Sequence, residues 1–131
     1  MKHITISEVG PRDGLQSVET TLSTEAKLAW IEAEYAAGVR EIEVGSFVSP
    51  KLLPQMADTE AVVRGAQHLE GLIIAVLVPN VRGFESALRA GAHKISIPLS
   101  LSETHSLKNV RRTHAQMLDE IRSCLKLVEA M

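Results

Sequence analysis

Arg12 and Asp13 stand side by side in the run Val9-Gly10-Pro11-Arg12-Asp13-Gly14-Leu15-Gln16. The carboxylate of Asp13 is a hard oxygen ligand suited to a divalent cation. The guanidinium of Arg12 is a permanently charged planar fork of donors, matched to a carboxylate or to the oxygen of an enolate. Gly10, Pro11 and Gly14 let the chain fold sharply around the pair. Further polar groups follow other apolar runs: Glu43 and Ser46, then Asn80, then Ser102, Glu103 and His105. A positioned acid, a fixed cation and a hard metal ligand are the parts needed to move a proton and stabilise a developing oxyanion. Taken singly, each has a plainer use. Arg12-Asp13 makes an ordinary surface ion pair, Glu43 pairs with Arg12 or Arg40, and Ser46 and Asn80 serve in turns and caps. Gln16 divides in the same way between a mouth position and a turn.

The elements that must carry these groups alternate. An apolar run Ile4–Val9 reads as a strand and ends in the Pro/Gly turn. A helix over Thr24–Ala37 follows, with Leu28, Ile31 and Tyr35 on one face, Ser23 or Thr24 as cap and Gly38 as stop. Glu41–Val44, or slightly more, forms a second strand leading into Gly45-Ser46-Phe47-Val48-Ser49-Pro50. Asp58 or Thr59 opens a second helix that runs toward Gly71. Leu72–Val78 is apolar enough for a strand buried on both faces of a parallel sheet. Asn80 caps a third helix closed by Gly91, and Lys94–Leu99 is the fourth strand. Leu101–Arg112 reads as a loop. Thr113 and Gln116 then stand at capping-box spacing before a helix whose stripe is Met117, Leu118, Ile121, Leu125 and Val128.

Four βα units predict an α/β fold with a parallel sheet and right-handed crossovers. An open doubly wound sheet and the first half of a (β/α)8 TIM barrel both satisfy that order. No Gly-x-Gly-x-x-Gly follows the first strand, which weighs against a dinucleotide fold. Polar groups after all four strands fit a barrel mouth, and four units are half of the roughly 250 residues a whole barrel takes. The half barrel is the favoured reading, with residues 1–131 as the N-terminal part of one catalytic domain.

Size and composition limit the alternatives. With 131 residues, 45% hydrophobic and 23% charged, the chain has the makings of one ordinary globular core. A net charge of −2 with scattered basic residues leaves no footprint for nucleic acid; Lys108, Arg111 and Arg112 form only a short cluster. No apolar run reaches membrane length and no signal-peptide pattern opens the chain. One cysteine, Cys124, excludes an internal disulfide and predicts a cytoplasmic setting, with the thiol buried and inert. Trp30 and Tyr35 read as packing residues, and His3, His68, His93 and His114 as strand-edge or helix-surface residues.

The longer wording narrows the choice. Glu8-Val9-Gly10-Pro11-Arg12-Asp13-Gly14-Leu15-Gln16, Gly45-Ser46-Phe47-Val48-Ser49-Pro50-Lys51, Pro54-Gln55-Met56, Pro79-Asn80 and Gly83-Phe84 together resemble the 3-hydroxy-3-methylglutaryl-CoA lyases, within the metal-dependent TIM-barrel lyase and synthase family. The resemblance covers essentially the whole chain and the N-terminal half of a family barrel. Related condensing enzymes carry Leu-Arg-Asp-Gly or Leu-Arg-Glu-Gly at the first motif. The resemblance implies cleavage of an acyl-CoA thioester to acetoacetate and acetyl-CoA with Mg²⁺ or Mn²⁺, in leucine or ketone-body breakdown. It implies Asp13 as metal ligand, Arg12 at the thioester oxygen and Glu43 as the acid near the cation. It also implies Gln16, Ser46 and Asn80 as weaker substrate contacts. The family's His-x-His pair, a further Asn ligand and a Cys-bearing loop come from later strands, so the segment alone is expected to hold metal poorly; His105 reads as a loop residue, not a replacement ligand. Two neighbouring readings keep the fold: a lyase for a longer-chain 3-hydroxyglutaryl-CoA, or a Claisen-type synthase. A reading of another class is a non-catalytic half barrel that binds a partner or self-associates as a homo-oligomer through its exposed strand edges.

Overall fold

A computed structural model describes residues 2–131. Three parallel strands form one sheet in the order β1 (Glu41–Ser46), β2 (Ile73–Leu77) and β3 (Lys94–Ser96). Among the described residues five α-helices accompany them: α1 (Thr24–Ala36), α2 (Thr59–Ala66), α3 (Val81–Ala90), α4 (Glu103–Val110) and α5 (His114–Glu129). The strand → helix → parallel strand order is the one the apolar runs predict, because a parallel neighbour requires a crossover long enough for a helix.

Alternation along the strands sets the two faces. Ile42 and Val44 of β1, with Ile74, Val76 and Val78 of the β2 region, join Ile31, Val62, Val63, Phe84, Ala87 and Cys124 in the core between sheet and helices. Glu41 and Glu43 alternate with them and lie on the opposite face. The register breaks between Glu43, opposite Ala75, and Gly45, opposite Val76. That irregularity brings Gly45 against α2: a Cβ there would lie 2.5 Å from Thr59 Oγ1. The Thr59 hydroxyl instead reaches the carbonyls of Ser46 at 3.0 Å and Met56 at 2.8 Å, which pins the end of β1 to the start of α2.

The helix termini follow their caps. Ser23 accepts from the Ala26 N–H, Asn80 from Gly83 and Ser102 from His105. Thr113 and Gln116 exchange both bonds of a capping box. Gly91 ends α3 at φ +89°, in the left-handed region open to glycine.

Five expectations require correction. The strand expected over Ile4–Val9 is reduced to one parallel bridge, Glu8 to Ile42. Ile4 and Ile6 are 88% and 78% exposed, so the alternating pattern there covers no core. The fourth strand stops at Ser96 instead of Leu99, since Pro98 has no N–H to continue a ladder. The second helix ends at Ala66, short of Gly71, and turns fill the interval. The segment expected as a loop contains α4. Its only buried residue is Ser106, whose hydroxyl bonds the Arg112 carbonyl at 2.6 Å, so caps and not an apolar stripe hold it. On α5 the buried residues are Met117 and Cys124, while Leu118, Leu125 and Val128 of the expected stripe are exposed. Among the described residues, no helix is long and apolar enough to cross a membrane.

Candidate active site

The Gly10–Gly14 segment makes a single π-helical turn immediately after the Glu8 bridge. Pro11 is buried within it, and the N–H groups of Arg12 and Asp13 both bond the Val9 carbonyl, at 3.1 and 2.8 Å. Glu8 closes the turn by accepting from the Gly10 N–H at 2.9 Å. Trp30 lies so near Gly10 that a Cβ would come within 2.8 Å of its ring. The turn is therefore held from both sides, and it aims Arg12 along the face of the sheet that carries Glu43.

Arg12 joins the two acids. Its Nε donates to Glu43 Oε1 and its Nη1 to Asp13 Oδ1 at 3.1 Å. The Arg12 and Glu43 side chains are only 16% and 10% exposed, whereas Asp13 is 63% exposed. The three residues thus form one cluster where the turn meets β1, and Arg40 takes no part. Arg40 bonds the Tyr35 and Val39 carbonyls and stacks on the Tyr35 ring at 4.1 Å.

Ser46 and Asn80 meet at a second feature. They line a cavity of about 340 Å³ between the Phe47–Pro50 loop, the start of α2 and the start of α3, with Arg82 and Ser86 on its wall. Ser46 is fully buried and its Oγ has no partner among the described residues. Asn80 spends its Oδ1 on the Gly83 N–H at 2.9 Å, so the capping use is realised. Gln16 also carries a buried Oε1 without a partner among the described residues. Unpartnered buried oxygens are rare in folded proteins, and two of the three weaker sequence candidates carry one. His105 sits in the first turn of α4 with Nδ1 2.7 Å from Ser100 Oγ, away from the Arg12 cluster in its bonding.

Sequence reasoning passed over Lys27. Its side chain is 2% exposed, and Nζ donates to Asp58 Oδ1 and to the Gln55 carbonyl. Thr24 donates to the other Asp58 oxygen at 2.7 Å, and Gln55 Nε2 to the Val18 carbonyl at 2.6 Å. These bonds fasten the β1–α2 connection to the segment leaving the Arg12 turn. The available signal was spacing: Lys27 and Ile31 stand four apart and are the buried pair of α1. Arg82 was missed as well, although Asn80 as a predicted cap already placed it in the first turn of α3.

These residues do not by themselves make a cation site. Asp13 is one exposed carboxylate, Glu43 is engaged by Arg12, and among the described residues no group of three or more His, Cys, Asp or Glu side chains is placed to hold a metal. Mg²⁺ demands a near-octahedral set of oxygens.

Parallel strands, helical crossovers and polar groups gathered past the strand ends define the N-terminal part of a (β/α)8 barrel of the enzyme-bearing kind. The family model described as HMGL-like matches residues 3–131, and the chain belongs to that family. It is 42% identical over 117 residues to a hydroxymethylglutaryl-CoA lyase of Bacillus subtilis, covering 89% of this chain and 39% of that relative. It is 40% identical over 129 residues to the mitochondrial hydroxymethylglutaryl-CoA lyase of Homo sapiens, covering 98% of this chain and 40% of that one. An HMG-CoA lyase structure from Acinetobacter baumannii, in complex with coenzyme A and 3-methylmalate, superposes with TM-score 0.91 at 36% identity over 96% of this chain and 41% of its own. The Bacillus subtilis HMG-CoA lyase structure gives 0.91 at 38% identity, over 99% and 44%. The chain spans about 40% of the length of the curated relatives it matches.

Proposed function

We propose that this chain supplies the first part of a hydroxymethylglutaryl-CoA lyase-type active site, which cleaves 3-hydroxy-3-methylglutaryl-CoA to acetoacetate and acetyl-CoA. The observation that carries the reading is the bridge made by one guanidinium between Asp13 in the turn and Glu43 in β1. In the reaction the tertiary hydroxyl loses its proton and its oxygen becomes a ketone. The bond to the carbon beside the thioester breaks, and the electron pair moves onto the thioester oxygen as an enolate, which takes a proton to give acetyl-CoA. Arg12 is the donor for that oxygen, since it stays charged at any physiological pH and its charge is matched to one that grows in the transition state. Glu43 fixes the guanidinium through Nε, so that the Nη groups, one of which meets Asp13, lie on the side away from Glu43. Gln16, Ser46 and Asn80 contact the acyl-CoA substrate, with Gln16 Oε1 as an acceptor and the Ser46 hydroxyl as a donor or acceptor for its polar groups. Asp13 is this chain's ligand to a divalent cation, Mg²⁺ or Mn²⁺; one carboxylate is fewer oxygens than such a cation requires. The single, buried Cys124 suits a reducing cytoplasm.

The test is a coupled assay for acetyl-CoA release with Mg²⁺. It is run on this chain and on a barrel-length protein of relatives' size that begins with residues 1–131. Equimolar acetyl-CoA and acetoacetate from the long protein, with none from the short one, is the expected result. A folded long protein that releases neither would overturn the reading.

A further inference from the structure

Lys27 is a buried ammonium on α1, and an apolar residue of the same length would fill its place beside Ile31 without the cost of burying a charge. What the ammonium bonds accounts for the lysine. We infer that Lys27 is a positioning residue for the substrate contacts: it sets the spacing between the segment that carries Gln16 and the end of β1 that carries Ser46. This rests on the assignment of Gln16 and Ser46 as acyl-CoA contacts.

An ammonium group has three donors and no acceptor. Lys27 Nζ spends one on the Gln55 carbonyl and one on Asp58 Oδ1. From each acceptor a short path leads to one of the contacts. Gln55 Nε2 donates to the carbonyl of Val18, two residues past Gln16, at 2.6 Å. Asp58 precedes Thr59, whose hydroxyl reaches the Ser46 carbonyl at 3.0 Å. The Thr24 hydroxyl donates to Asp58 Oδ2 at 2.7 Å and keeps the carboxylate turned to α1. Residues 17–23 and 47–53 belong to no helix or strand, so no ladder fixes these connections and the Lys27 bonds do. Gln16, Ser46 and Gln55 each carry a buried oxygen with no partner among the described residues. Buried oxygens left open are costly, and a loose site would relax until they found partners of their own. A tether on both sides holds them in place, so the substrate meets groups already set and less ordering is lost on binding. The effect falls on ground state and transition state alike, because Gln16 and Ser46 are not matched to the charge that grows on the thioester oxygen.

The experiment compares the parent with Gln55→Met and with the double variant Lys27→Met/Asp58→Asn. Lys27→Met alone strands the Asp58 carboxylate; the double variant removes both charges of the pair and leaves Thr24 an acceptor, which spares the fold. In this chain, NMR reads the Gln16 side-chain amide and the Ser46 backbone amide. The double variant is expected to move both signals, and Gln55→Met to move Gln16 while Ser46 stays in place. In the barrel-length protein that begins with residues 1–131, the double variant is expected to raise KM for 3-hydroxy-3-methylglutaryl-CoA about tenfold with kcat changed less than about twofold, the mark of lost uniform binding. Gln55→Met is expected to raise KM about threefold. A folded double variant with parental KM overturns the inference, as does one whose kcat falls by more than its KM rises. A Gln16 signal unmoved in both variants overturns it too. A long parent that releases no acetyl-CoA counts against the proposed activity alone, and the two NMR signals then decide whether Lys27 positions Gln16 and Ser46.

Discussion

Glu41 and Glu43 sit two apart on one strand and answer to different cations. Glu43, third in β1, meets Arg12 from the Gly10–Gly14 turn. Glu41 begins β1 and meets Lys94, the first residue of β3, at 3.0 Å. Hydrogen bonds from Ser7 and then Lys94 hold the Glu41 carboxyl below its ordinary value of 4.5, outweighing its burial. A carboxyl with a lowered folded pKa stabilises fully above the unfolded value, and that contribution is lost as pH falls through the folded one. Urea midpoints of the parent and Glu41→Gln should therefore differ most at pH 6 to 7 and converge as pH drops below about 4.5. A difference that widens toward acid pH would reverse the assignment. Burial likewise pushes the Cys124 thiol up, with Glu120 adding to it. Its reaction with a thiol reagent should be slow in native protein and fast in denaturant, because the thiolate is the reactive form.

Between elements, two contacts decide how the β1–α2 connection is held. Gly45 lies against Thr59 with no room for a methyl group, so Gly45→Ala must push α2 outward or break the Thr59 bonds to Ser46 and Met56. A loss of about 1–3 kcal/mol is expected from chemical denaturation. Lys27 supplies the buried cation for Asp58, and Lys27→Met should cost about 3 kcal/mol. Amide exchange should quicken over residues 47–58 before it does in β2. The caps of α3 and α5 were legible because side chain and spacing act locally, and so was the apolar run of β2, although Ile73 within it is 40% exposed and its burial is not complete on both faces. α4 was not legible: an apolar stripe is the signal for a helix, and this one buries only Ser106. Ile4–Val9 misled in the opposite sense, since alternation marks a strand only where one face has something to cover. Lys27 escaped because a lysine is assigned to solvent by default, and its burial depends on an acid 31 residues away.

At the level of the molecule, β1 to β3 and their crossovers bring residues from separate parts of the chain to one edge of the sheet. The Arg12–Asp13 turn and Glu43 were read from the sequence as neighbours, on motif wording together with the rule that barrel sites form past the carboxyl ends of strands. Their convergence on one guanidinium depends on the Glu8–Ile42 bridge, which sets the turn beside β1. The Ser46–Asn80 cavity was less legible, because Asn80 as a cap and Asn80 as a contact look identical in sequence. The account is tested most directly by the turnover number for acetyl-CoA release in a barrel-length protein carrying Arg12→Gln. A fall of about 10²–10³-fold in kcat, with KM changed only a few-fold, is the predicted result for a donor matched to the transition-state oxygen. A folded variant with near-parental kcat would contradict it.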